Sequence, residues 1–333
     1  MRKFLASLAL ALVAGTLAAG PGSAACAGRD LIAGMPPEAR EAFEARLAAV
    51  PHAQGLIWRA TRGAAVVHLV GTYHLDDPRH AGLMERIAPL VAGAATVLVE
   101  ATPDDEAALR AMLAERPELL FITEGPTLPD LLPAAEWEAL MAALRARGLP
   151  VVIGAKSRPW FVATQLALPP CLAREMTAGK RGLDRRIIEL AAAKGIPVAG
   201  LEPPDTLLRL FEALPEGGDL ALIRTALAME RAAEDLSATL IEAYFAERPW
   251  AIWELSKDLA ASVPGVDPTD MARLIAQTEA VILVARNRAW IAPILAAAER
   301  GPVLAAFGAL HLPGEEGVLA LLENEGFRVE RLR

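Results

Sequence analysis

The sequence predicts an α/β fold: a mostly parallel or mixed sheet flanked by helices, with a helical insertion between its N-terminal and C-terminal strands. Three observations predict it. Short apolar runs alternate with longer Ala/Leu/Glu-rich stretches, the order expected of strands covered by helices. A cassette of helix, glycine and short apolar strand recurs as "LMAALRARGLPVVIG", "IIELAAAKGIPVAGLE", "ILAAAERGPVLAAFG" and "LALLENEGFRVERL". Between about 205 and 297 the pattern becomes helical throughout, with no strand signal.

Each cassette carries its own stop signal. A glycine such as Gly195 falls where a helix ends in a left-handed turn. Basic residues such as Lys194 and Arg300 meet the negative helix end, and Pro150 and Pro197 prevent continuation. Strands are therefore expected near 64–70, 96–100, 150–154, 197–201, 303–307 and 327–331. All are short and apolar, as strands buried on both faces should be. Residues 102–140 read as helices joined by Pro-rich loops.

The first residues read as a secretory signal peptide. Arg2 and Lys3 precede an apolar run from Phe4 to Ala19, followed by the small residues Ser23-Ala24-Ala25. Cleavage after Ala25 would leave one domain from 26 to 333, beginning at Cys26, in the periplasm or secreted. Removing Arg2 and Lys3 takes the net charge from −8 to −10, which argues against nucleic acid as a partner. Cys26 and Cys171 are the two cysteines, and in an exported chain they most simply form one disulfide. A lipid anchor at Cys26 is the alternative, disfavoured because no large aliphatic residue stands three places before it. No later segment reads as a membrane span: the most apolar, "LIAQTEAVILVARNRAWIAPIL", carries Glu279, Arg286 and Arg288.

The chemistry concentrates at strand ends, where open α/β sheets bind ligands. "VVHLVGTYHLDDPRH" ends an apolar run in Gly71-x-x-His74, and "VLAAFGALHLPGEEG" repeats it as Gly308-x-x-His311. Glycine permits close backbone approach, so Gly71 and Gly308 are expected to shape loops that turn the two imidazoles into one space. Glu100 ends the strand near 96–100, and Glu202 the strand near 197–201. Lys156, Arg158 and Trp160 follow the expected strand at 150–154. Two histidines and one carboxylate suit Mn, Zn or Co with positions left for water, and a bound water would be a hydrolytic nucleophile. The plainer readings are that Glu202 is a turn residue, that Lys156 and Arg158 pair with sheet-edge acids, that His68 is a hydrogen-bonded core residue, and that His52 and His80 lie at the surface. No His-Glu-x-x-His helix, Gly-x-Ser-x-Gly elbow or phosphate-binding glycine loop competes.

The chain resembles the TraB/GumN (Tiki/TraB) family, in its exported bacterial GumN-like branch. The resemblance rests on "CAGRDLI", "GTYHL", "VLVE", "GPTLPDLL", "PPC", "GLDRRIIELAAAKGIPVAGLE", "RNRAWI" and "FGALHLPGEEGVLALLENEGFRVERL". It implies that both Gly-x-x-His motifs and the strand-end glutamate meet in one site. In the Tiki branch that set serves membrane-tethered, divalent-metal-dependent proteases. By this resemblance His74, Glu100 and His311 are the metal-binding or catalytic residues, with Arg286 and Asn287 of "RNRAW" as support. The expected function is a periplasmic or secreted metal-dependent hydrolase, peptidase-like, acting on a peptide or small molecule. The alternative is a non-catalytic protein binding a metal, cofactor or peptide in the same cavity.

Overall fold

A computed structural model describes residues 28–177, 182–212, 217–261 and 267–333. The signal-peptide segment and Cys26 lie outside the described residues. So does the expected disulfide, of which only Cys171, on the helix Pro170–Thr177, is described.

Six strands form one mixed sheet in the order β4-β3-β5-β2-β1-β6. They are β1 (Ile57–Arg62), β2 (Ala65–Thr72), β3 (Thr96–Val99), β4 (Val198–Gly200), β5 (Val303–Gly308) and β6 (Arg328–Arg331). The strands β2, β5, β3 and β4 are mutually parallel, and β1 alone runs the other way, pairing antiparallel with β2 and β6.

Alternating side chains of the central strands feed two cores. On one face Val303, Ala305 and Phe307 pack with Trp290 and Ile294 of the helix Ala285–Ala298 and with Val318, Leu319 and Leu322 of the helix Val318–Asn324. On the other, Leu304 and Ala306 pack with Ile87 and Val91 of the helix His80–Ala92 and with Leu183, Ile187 and Ala191 of the helix Leu183–Ala193. Strand β5 is thus covered on both faces, which its unbroken apolar run anticipates. Every regular element described between β4 and β5 is a helix, as expected. The last helix there runs from Pro268 to Ala298 through a π-helical turn at Ala280–Val284. It is long and apolar enough to cross a membrane, but its C-terminal half fills the sheet's core through Trp290, Ile294 and Ala297.

The structure corrects two strand expectations. The segment expected as a strand at 150–154 forms instead, from Val151, the helix Val151–Lys156. The β-branched run Val151-Val152-Ile153 favours a strand locally, yet packing overrides it. Gly154 lies so close to Leu144 that a Cβ there would stand 2.3 Å from its Cδ1, and Ser157 Oγ donates to the Ile153 carbonyl. Strand β1 was not expected. It forms a hairpin with β2 across the two residues Gly63 and Ala64, with Gly63 at φ +59° as such a turn requires.

Candidate functional site

The parallel strands all end at one edge, and the loops beyond β2, β3, β4 and β5 carry His74, Glu100, Glu202 and His311. Arg286, on the helix Ala285–Ala298, ties three of them together. Its Nη2 donates to Glu100 Oε2 (2.6 Å) and Glu202 Oε1 (2.7 Å), its Nε to Glu202 Oε2 (2.9 Å), and its Nη1 stands 3.3 Å from His311 Nε2. The second oxygen of Glu100 accepts the Gly308 N–H at 2.6 Å, and Trp290 Nε1 donates to Glu202 (3.1 Å).

Both motif glycines are places of close approach. A Cβ on Gly71 would lie 2.7 Å from Leu312 Cδ1 and 2.9 Å from Ala309 Cβ, so glycine lets β2 pack against the loop that carries His311. A Cβ on Gly308 would stand 3.2 Å from Glu100 Oε1, 3.5 Å from His74 Nε2 and 3.7 Å from His311 Cδ2. The three expected residues therefore do converge, around the Gly308 α-carbon.

The two imidazoles are held differently. His311 is buried against Trp290, with ring centroids 4.4 Å apart. Asn287 Nδ2 donates to the Glu316 carbonyl, which leaves Asn287 Oδ1 to accept from His311 Nδ1 at 2.5 Å. Nε2 then carries the lone pair, and it faces a guanidinium that can only donate. Burial lowers the His311 pKa; Arg286 and His74 add to this, Glu100 opposes it, and the value is about 3. His74 opens into the cavity, with its Nδ1 3.3 Å from Asp184 Oδ1. Desolvation in the cleft lowers its pKa, but the Asp184 hydrogen bond and the charges of Glu100 and Asp184 outweigh it and raise the value to about 9. Desolvation would raise the Glu100 pKa, yet His74, Arg286, His311 and the Gly308 N–H bring it down to about 2. At neutral pH the site thus presents an imidazolium, a carboxylate, a neutral imidazole and a guanidinium.

His74, Glu100, Arg286, Gly308 and His311 form the floor of a cavity of about 440 Å³ whose walls are apolar, including Leu75, Leu240, Ile252, Ile282 and Leu310. Tyr244, also in the wall, donates its hydroxyl to the Gly71 carbonyl (3.0 Å). Concave apolar walls around a few convergent polar groups are the usual form of a small-molecule or peptide site.

Residues 56–331 match the TraB/PrgY/gumN family. The chain belongs to that family. No match is found among curated proteins. The TraB/PrgY/gumN match spans every strand from β1 to β6 and all the residues just described at the sheet edge.

Of the expected supporting residues, Glu202, Arg286 and Asn287 join the site. Lys156 and Arg158 do not line its cavity. The segment expected as their strand is a helix outside the sheet; Arg158 Nε donates to the Glu118 carbonyl, and Arg158 lines a separate cavity with Trp160 and Phe211. His80 is buried, not at the surface, among Tyr73, Tyr244 and Phe245. His52 is half-buried and pairs with Glu323. His68 is half-buried in β2, and its buried Nδ1 has no hydrogen-bond partner among the described residues. Asp184 and Tyr244 were not anticipated: each reaches the site from a helix distant in sequence, where neither stands at a strand end.

The donor set does not form the expected divalent-metal site as it is arranged. Both oxygens of Glu100 are engaged, His311 Nε2 faces Arg286, and a permanent cation occupies the space between them. Among the described residues no group of three His, Cys, Asp or Glu side chains could hold an ion.

Proposed function

We propose that this protein is a hydrolase of the exported GumN-like branch, acting in the periplasm or outside the cell on a peptide or small-molecule substrate bound in the apolar cavity. The observation that carries the reading is the convergence of His74 Nε2 and Glu100 Oε1 at Gly308, on the cavity floor. Under this proposal a water resting between them gives a proton to the ionised Glu100 as it attacks a substrate carbonyl. The His74 imidazolium donates from Nε2 to the carbonyl oxygen or the leaving amine, the role of a positioned general acid. His311, neutral and hydrogen-bonded on both nitrogens, holds Arg286, and Arg286 holds Glu100.

A divalent Mn, Zn or Co ion is the second reading, favoured by the same clustering of two imidazoles and a carboxylate around Gly308. It requires the Arg286 guanidinium to leave Glu100. The test is a peptide-library hydrolysis screen on protein purified without chelator, with metal content measured in parallel. Turnover that survives chelation and is lost in His74→Ala supports the first reading. About one equivalent of metal, lost together with turnover on chelation, supports the second. Full turnover in His74→Ala would sink both, and saturable binding without turnover would leave a binding protein.

A further inference from the structure

We propose that Asp184 is the positioning residue for His74, fixing its ring so that Nδ1–H points away from the cavity and Nε2 points at the reacting centre. The inference rests on the hydrolase reading for its kinetic consequence, not for its geometry.

Three contacts lock the start of the helix Leu183–Ala193 onto the His74 loop. The Leu183 N–H donates to the Tyr73 carbonyl at 2.9 Å, so the backbone beside Asp184 is tied to the backbone beside His74. Gly182 lies against the His74 peptide so closely that a Cβ there would stand 2.3 Å from its carbonyl carbon and oxygen; no larger residue fits without moving the loop. Asp184 Oδ1 then meets His74 Nδ1 at 3.3 Å.

The consequence falls on the other ring nitrogen. With Nδ1 held by Asp184, Nε2 stands on the other side of the ring, beside Gly308, whose α-carbon Glu100 Oε1 also approaches. The His74 side chain is 60% exposed, so apolar packing does little to hold it. A ring this open, without a partner, turns freely about its side-chain bonds, and its Nε2 leaves the floor of the cavity. A carboxylate behind a working imidazole supplies orientation in this way, whether the imidazole serves as acid, base or ligand.

The experiment compares wild type with Asp184→Asn and Asp184→Ala, each labelled with 15N-histidine. At one fixed pH near neutrality, wild type should show a hydrogen-bonded, slowly exchanging Nδ1–H for His74, assigned with His74→Ala. That signal should vanish in Asp184→Ala, in a protein that still melts in one cooperative transition. On any substrate from the screen, kcat should fall about 10- to 100-fold with KM unchanged, and Asp184→Asn should fall between. A wild-type His74 signal in Asp184→Ala would overturn the proposal. If Asp184→Ala does not fold, Asp184→Asn supplies the same reading, and a wild-type signal and wild-type kcat there would overturn it as well. Loss of the signal in a protein that hydrolyses nothing would uphold the positioning role and count against the hydrolase reading alone.

Discussion

The two Gly-x-x-His loops are alike in sequence and opposite in environment. Each follows a central parallel strand, and each glycine admits a close backbone approach at the same sheet edge. His74 is 60% exposed and backed by a carboxylate, whereas His311 is 4% exposed and held between an amide and a guanidinium. The first has its pKa raised to about 9, the second lowered to about 3. The motif places a ring at the strand end; the helix that meets it decides its charge. Pairs of titratable groups pushed apart in this way divide acid from base roles.

The sharpest break of this comparison is a pair of alanine substitutions. His74→Ala should reduce turnover by about 10²- to 10⁴-fold and, in melts above pH 9 where the ring is neutral in wild type, leave the melting temperature near wild type, because the ring packs little. His311→Ala should also reduce turnover, but with lost stability, since it removes a buried ring from Trp290 and frees Arg286 Nη1. Equal effects of the two substitutions on the melting temperature would contradict the difference in burial.

Arg286→Ala tests what joins the loops. It would strip Glu100 and Glu202, each with less than a fifth of its side chain exposed, of their shared cation. Breaking a buried ion pair from one side costs about 3–5 kcal/mol, so chemical denaturation should show a loss of that order. A loss below about 1 kcal/mol would mean that the pair behaves as an exposed one.

The histidines also predict opposite pH dependences of stability. The folded pKa of His74 lies above its unfolded value, so its contribution is fully present below about 6.5 and is lost as pH rises through about 9. The folded pKa of His311 lies below its unfolded value. Its neutral form is required, and stability falls as pH drops from about 6.5 toward 3. Thermal melts of wild type and His74→Ala should therefore converge above pH 9. Melts of wild type and His311→Gln should converge toward acid. A constant gap in either series across the range would show that the ring does not titrate as its surroundings imply.

The histidine loops, Glu100 and Glu202 were legible in the sequence because each stands at a strand end, where one dimension of pattern suffices. The helical stretch before β5 was legible for a similar reason: long Ala/Leu/Glu periodicity admits few other readings. Residues 150–154 misled because a β-branched run after Gly-Leu-Pro looks locally like the cassette's strand, and the contacts that favour a helix, such as that of Gly154 with Leu144, are tertiary. Arg158 went astray with it. Asp184 was invisible for another reason. Its role depends on which loop the Leu183–Ala193 helix starts against, a tertiary fact that no spacing in the sequence encodes.

His80 offers the smallest effect and a separate test of how burial treats an imidazole. It sits fully buried among Tyr73, Tyr244 and Phe245, and neither ring nitrogen has a hydrogen-bond partner among the described residues. Burial lowers its pKa, with Arg186 adding to the effect while Asp77, Asp76 and Asp184 oppose it. An unsatisfied buried polar group costs about 1–3 kcal/mol, and a ring of similar shape without nitrogens recovers part of that. His80→Phe should thus raise stability by about 1 kcal/mol, less whatever the larger ring costs in packing. The gain should grow as pH falls below about 6.5, where the wild-type histidine resists a proton that it takes up freely when unfolded. A destabilised His80→Phe at every pH would point instead to a polar partner for this ring, and would set His80 beside His311 as a histidine retained for its nitrogens.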